Sequence, residues 1–279
     1  MTTSLARASE VGLSRERLFF WLSLVASLNA VSGLVIRSVL QDDLTSSVVN
    51  LFGISAIVYL AIFAALSILS EAEATTVRAG DKIVAALVLA TALLPVANAS
   101  SVALTLLAVY AIMTSAQGSP LKRAGIILLS VTMTLIWGRL FLALFSRSLL
   151  YVDAFFITTF TGAEQVGNRV MFLDASYGSF VIAPGCSSLQ GMSLAFVFWA
   201  TTTQWCRAQV GMRSVLYCLG AVVATLAINV GRLSSLALFP AHFEELHTGI
   251  GWHVASWLTL VAIVAIVAFG ARREILAQD

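Results

Sequence analysis

The chain has 279 residues, of which 59% are hydrophobic and only 11% charged, and its mean hydropathy is +0.94. A soluble domain averages about 25% charged residues, so this composition excludes a water-soluble globular protein and points to a polytopic membrane protein in contact with lipid. The 16 basic and 14 acidic residues leave a net charge of +2, which gives no sign of a nucleic-acid partner.

The first 17 residues are polar and carry Arg7, Arg15 and Arg17. No small-residue cleavage site follows the first apolar run, so that run is read as a retained helix and not a signal peptide. A spanning helix needs roughly 20 mostly apolar residues. Eight runs approach that length: 18–36, 48–70, 82–98, 99–116, 124–145, 186–205, 214–238 and 252–270. They predict an all-α polytopic fold of about eight transmembrane helices in one integral membrane domain, 1–279. The third and fourth runs abut at Pro95-Val96-Ala97-Asn98-Ala99-Ser100-Ser101, a tight polar turn between short helices.

Basic residues accumulate in cytoplasmic loops. With the N-terminus inside, the inner loops hold Arg7, Arg15, Arg17, Arg78, Lys82, Lys122, Arg123, Arg207, Arg213, Arg272 and Arg273. The outer loops hold Arg37, Arg147 and Arg169, while Arg139 and Arg232 fall inside helices. This bias predicts a multi-pass protein of a cytoplasmic (inner) membrane with a cytoplasmic N-terminus. Trp137, Trp199, Trp205, Trp252 and Trp257 mostly fall toward helix ends, as interfacial anchors do.

One outer loop, 146–185, is too long for a plain connection, and long loops are often functional. Its stretch 149–160 is apolar and aromatic with Asp153 inside it, the pattern of a helix lying in the membrane interface. Two β-prone runs, 170–173 and 179–183, flank Asp174-Ala175-Ser176-Tyr177-Gly178 and read as an extracytoplasmic hairpin. The second run leads into Pro184-Gly185-Cys186.

Cys186 opens the sixth apolar run. A helix N-terminus favours a thiolate, and Ser187 and Ser188 are of the type that caps free N–H groups. The competing reading is a small buried apolar residue, the usual fate of a free cysteine. Cys206 and Cys218 have no partner motif, and the three cysteines show no metal-binding spacing.

Arg232 lies within an apolar run near the outer end of the seventh helix. A charge there marks a functional position or one that snorkels to headgroups. Asn229, three residues earlier, shares its helix face. In a peptidase the guanidinium would stabilise a developing oxyanion or a thiolate.

His247 falls in the short outer stretch before the eighth helix and has the chemistry to activate a thiol as general acid and base. His242 and His253 are its rivals. No HExxH is present, and the three histidines lack ligand spacing, so a zinc site is not expected. Arg139 is expected to brace this region or to pair with Asp153 or Glu164, and a purely structural role is equally open.

These residues resemble the exosortase/archaeosortase family of eight-helix membrane proteins, which process proteins bearing C-terminal sorting signals. The resemblance is carried by Ala183-Pro184-Gly185-Cys186-Ser187-Ser188, Asn229-Val230-Gly231-Arg232 and His247-Thr248-Gly249-Ile250-Gly251-Trp252. It covers about residues 120–270 and departs from the family at Ser188, where glycine is usual. The resemblance implies a cysteine transpeptidase of a bacterial or archaeal membrane, with Cys186 as nucleophile, His247 as proton carrier and Arg232 beside the thiolate or oxyanion. Asn229 and Ser187 would support them. The implied partner is a protein with a short motif, a transmembrane helix and a basic tail. Two other readings stay open: a transporter whose anion path is lined by Arg139 and Arg232, and a membrane assembly factor with an inactive site.

Overall fold

The computed structural model describes residues 13–41, 44–94, 96 and 98–272. Arg7, Pro95, Ala97 and Arg273, all used above, lie outside the described residues. The chain folds into two compact units, Met1–Leu135 and Ile136–Asp279.

The first unit contains α1 (Arg15–Gln41), α2 (Leu44–Val49), α3 (Ala56–Ser70), α4 (Ala79–Ala92), α5 (Ala99–Thr114) and α6 (Pro120–Thr132). Helix α1 buries Phe19, Leu22, Ser23, Ala26 and Ser27, the three- and four-residue spacing of one helix face. The packed faces of its neighbours include small residues, with Ala61, Ala64 and Ala65 buried in α3 and Ala103, Ala108 and Ala111 in α5. Small side chains let apolar helices approach closely. At Gly125 of α6 an added Cβ would sit 3.0 Å from the carbonyl oxygen of Ala108 in α5, so this crossing has no room for a larger residue. Ser55 and Ser119 start α3 and α6 by accepting from the N–H groups of Ile57 and Lys122, and Pro120 follows at the first turn.

Polar groups join the helix ends of this unit. Arg15 Nε donates to Asp81 Oδ1 at 3.0 Å in a buried ion pair, and its other nitrogens bond to the hydroxyls of Thr114 and Ser115. Arg15 therefore belongs to the packed end of α1 and not to a solvated loop. Between α4 and α5, Asn98 adopts a left-handed backbone (φ 68°) and Asn29 donates to the carbonyl of Ala92 and, at 2.8 Å, to Ser100 Oγ.

The second unit begins with α7 (Gly138–Thr161), whose backbone departs from helix at Phe145 (φ −114°, ψ 17°). This kink separates two helical segments at the boundary expected from the sequence, and residues 149–160 lie in the second of them, which starts without an intervening loop. Gly162 ends α7 in a left-handed conformation (φ 74°), its N–H bonded to the carbonyl of Thr158. A three-stranded antiparallel sheet follows, in the order β1 (Gln165–Val166), β2 (Arg169–Met171), β3 (Ser179–Val181). The expected hairpin is present as β2 and β3, with Val170 opposite Phe180, and β1 is an addition to it. Asp174 accepts from the N–H and hydroxyl of Ser176 in the β2–β3 connection, which holds its carboxyl below the usual range.

The remaining helices are α8 (Leu189–Trp205), α9 (Met212–Leu238), α10 (Phe243–His247) and α11 (Ile250–Gly270). One apolar core gathers Leu150, Ala154 and Ile157 of α7, Val170 and Phe180 of the sheet, and Leu233 and Leu236 of α9. Phe243 of α10 joins it through ring contacts with Phe172 (5.9 Å) and Phe180 (6.0 Å). The sheet thereby ties α10 to α7 and α9.

The protein is a helical membrane protein with a small sheet. Among the described residues four helical stretches are long and apolar enough to cross a membrane: Arg15–Gln41, Pro120–Thr161, Met212–Leu238 and Ile250–Gly270. The other apolar runs also form helices, but α3, α4, α5 and α8 have only 15, 14, 16 and 17 residues. At 1.5 Å per residue these fall short of a hydrocarbon core of about 30 Å.

Candidate active site

Ile182 is buried in the core beside the sheet, and the chain leaves it through extended Ala183 (ψ 160°) into a tight 3-10 turn, Pro184–Cys186. Proline fixes φ at the first position of this turn, and Cys186 N–H closes it on Ala183 O at 2.9 Å. Ser187 is extended again (ψ 143°), and α8 starts only at Leu189. Cys186 therefore stands ahead of the helix and does not open it. Of the two serines, Ser187 accepts from the N–H of Leu189 at 3.3 Å, as expected of a cap. Ser188 instead donates its hydroxyl to Asp153.

The half-buried Cys186 Sγ lies 3.6 Å from His247 Nε2. His247 is the last residue of α10, and its ring stacks on that of Phe243, one helical turn earlier (centroids 5.1 Å apart, planes 21° apart). The imidazole is thus carried by a short helix docked on the apolar core, within the short stretch that precedes the last helix. The glycines that follow act through space and not through flexibility. A Cβ on Gly249 would lie 2.8 Å from Glu245 O, and one on Gly251 would lie 2.7 Å from Leu246 Cα. The chain breaks at Thr248-Gly249, but Gly251 is helical and lets α11 pack against α10. His242 and His253 are elsewhere: the first pairs with Glu245 at 3.1 Å on the surface, and the exposed second meets Trp252 edge to face.

Asn229 of α9 holds the Cys186 turn from behind. Its Nδ2 donates to Cys186 O at 2.8 Å and to Ser188 Oγ at 3.0 Å. Its Oδ1 accepts from Arg232 Nη2 at 3.3 Å. Arg232 is therefore linked to the cysteine through Asn229 and makes no direct bond to the thiol among the described residues. A guanidinium has five N–H donors in a fixed fork, and this contact occupies one of them. Arg139 is exposed on α7, and among the described residues it forms no ion pair with Asp153 or Glu164. The Asp153 carboxylate is instead buried against Ser188, with Oδ1 2.7 Å from the hydroxyl and Oδ2 3.3 Å from the N–H.

Cys186, His247, Asn229, Arg232, Ser187 and Ser188 thus gather in one polar cluster of the second unit, with Asp153 as a member that the sequence reading did not place there. The available signal was its isolation, since Asp153 is the single charged residue between Arg147 and Glu164. Among the described residues no group of three or more His, Cys, Asp or Glu is arranged to hold a metal ion. In comparisons with protein-family models, curated proteins and solved structures, the chain matches none.

Proposed function

We infer that this chain is a membrane-embedded cysteine peptidase or transpeptidase of the exosortase/archaeosortase type, acting on exported proteins anchored by a C-terminal sorting signal. The observation that carries this reading is the 3.6 Å approach of Cys186 Sγ to His247 Nε2, the nucleophile-and-base pairing that thiol acyl transfer requires. Support comes from Arg232, whose remaining donors are available to a substrate carbonyl.

In the proposed reaction the thiol proton passes to His247 Nε2 as Sγ attacks the scissile carbonyl carbon. Arg232 stabilises the negative oxygen of the tetrahedral intermediate. Collapse breaks the C–N bond, and the leaving amine takes the proton from the imidazolium. The resulting thioester is attacked by an acceptor amine or hydroxyl, or by water, whose proton goes to His247. The C–S bond then breaks and the thiol is restored. The side chains named supply every proton transfer, and the reaction calls for no cofactor.

The same reading places the protein in a bacterial or archaeal cytoplasmic membrane with a cytoplasmic N-terminus, eight spans and an extracytoplasmic site. The asymmetric distribution of basic residues supports that orientation. Cys186→Ala is expected to abolish processing and leave full-length substrate in the membrane at unchanged enzyme level. Cys186→Ser is expected to fail as well, because a hydroxyl is a poor nucleophile without stronger activation. Normal processing by Cys186→Ala would end the thiol-enzyme reading.

A further inference from the structure

Beyond the residues that would meet a substrate, the site rests on a hydrogen-bond chain with one permitted direction. Its two ends are Asp153 of α7 and Arg232 of α9, joined through Ser188 and Asn229. A carboxylate only accepts and a guanidinium only donates. The Ser188 hydroxyl has one proton and gives it to Asp153 Oδ1 at 2.7 Å. It must then accept from its other neighbour, Asn229. This turns the Asn229 amide so that Nδ2 faces Ser188 and Cys186 O, while Oδ1 faces Arg232. The reversed amide would set its oxygen against the Cys186 carbonyl and its nitrogen against Arg232, two repulsive contacts. Both ends of the chain thus enforce the same orientation, and that orientation clamps the Cys186 peptide at 2.8 Å. The clamp fixes the direction in which the thiol leaves the backbone, and hence its approach to His247.

We propose that Asp153 is a positioning residue for Cys186: through Ser188 it fixes the Asn229 amide and holds the Cys186 turn so that the thiol meets His247. The inference rests on the thiol-enzyme reading above. Asp153 is buried, with 4% of its surface exposed, and both of its oxygens accept from Ser188. Asparagine at this position would both donate and accept, so the direction of the chain would be lost while the shape was kept. Buried networks of this kind are coupled, so their members act as a unit.

The test reads the thiol directly and needs no substrate. In a Cys206→Ala/Cys218→Ala background of the full-length protein, the rate of carbamidomethylation of Cys186 by iodoacetamide is measured at neutral pH. Asp153→Asn and Ser188→Ala are each expected to slow it about tenfold or more, the scale on which small misplacements of reacting groups act. The double variant is expected to be no slower than the slower single one, and Asp153→Glu to regain part of the rate. A wild-type rate in Asp153→Asn or Ser188→Ala, or fully additive slowing in the double variant, would overturn the proposal. If Asp153→Asn does not fold, Ser188→Ala decides, because it cuts the same link and keeps the carboxylate. His247→Ala separates the two ideas. If it slows the reaction while Asp153→Asn and Ser188→Ala do not, only the positioning role fails. If it leaves the rate unchanged, the cysteine–histidine reading fails and takes this proposal with it.

Discussion

In the first unit buried Arg15 and Asp81 of α1 and α4 bond to each other and to the end of α5: Arg15 spans Asp81, Thr114 and Ser115, and Asp81 also accepts from the N–H of Arg78. In the second unit the chain from Asp153 through Ser188 and Asn229 ends at Arg232 on one side and at the turn carrying a thiol on the other. Both networks are bought with desolvation, and both tie helices together. The first closes on itself, so its product is a fixed helix arrangement. The second leaves reactive groups at its end, a thiol beside an imidazole and a guanidinium with donors to spare. Burial of polar groups therefore does not by itself distinguish a strut from a site. What distinguishes them is whether the network ends on a group able to do chemistry.

That contrast is broken most sharply by His247. On this account His247→Ala loses about 10²- to 10⁴-fold in processing, the usual worth of a positioned general base, with little change in thermal stability. His253→Ala keeps most of its activity, because its ring is on the surface of α11. The ratio of mature to full-length substrate at matched enzyme level measures both, and the reverse pattern would identify the wrong histidine. In the first unit the expectation is inverted. Asp81→Ala leaves Arg15 buried without its partner and costs about 3–5 kcal/mol of stability, seen as a lowered unfolding midpoint. Its site geometry stays intact wherever the protein remains folded. A midpoint equal to wild type would show that the first network is not a strut.

Smaller effects sharpen the comparison within the second unit. Arg232→Lys is expected to lose roughly tenfold or more in processing rate, because a point charge on a flexible stem does not reproduce a planar fork. Equal activity with lysine would favour a simple field or headgroup role. Gly251→Ala forces a methyl to 2.7 Å from Leu246 Cα and is expected to cost about 1–3 kcal/mol. It would shift α10 and with it His247, so activity should fall along with stability. A fully stable and active Gly251→Ala protein would remove the packing argument for that glycine.

The helices were legible because apolar runs of this length have few alternatives, and the β2–β3 hairpin because β-prone residues flank a turn ending in Gly178. Helix ends were not. Ser146-Arg147-Ser148 reads as the start of a loop, yet after the break at Phe145 the chain is helical again at once, since a helix tolerates polar residues on an exposed face. Strand β1 has two residues, too few to show a period. Pro184 and the two serines offered several ways to begin α8, and only the fold selects Leu189. In the candidate site, cysteine, histidine and arginine stand out by chemical type. Asp153 does not, because its role depends on a partner 35 residues away. The contribution of the glycines after His247 is the space they leave for the backbone of α10, which only the fold reveals.

The central claim is that Cys186 forms a covalent bond to the substrate carbonyl. Its most direct test is mass spectrometry of the Cys186-containing peptide from enzyme co-expressed with a protein bearing a C-terminal sorting signal. The account predicts an acyl adduct on Cys186, absent from the His247→Ala and Cys186→Ala proteins and released by hydroxylamine as a thioester is. Undiminished processing by enzyme whose Cys186 is fully carbamidomethylated would contradict it.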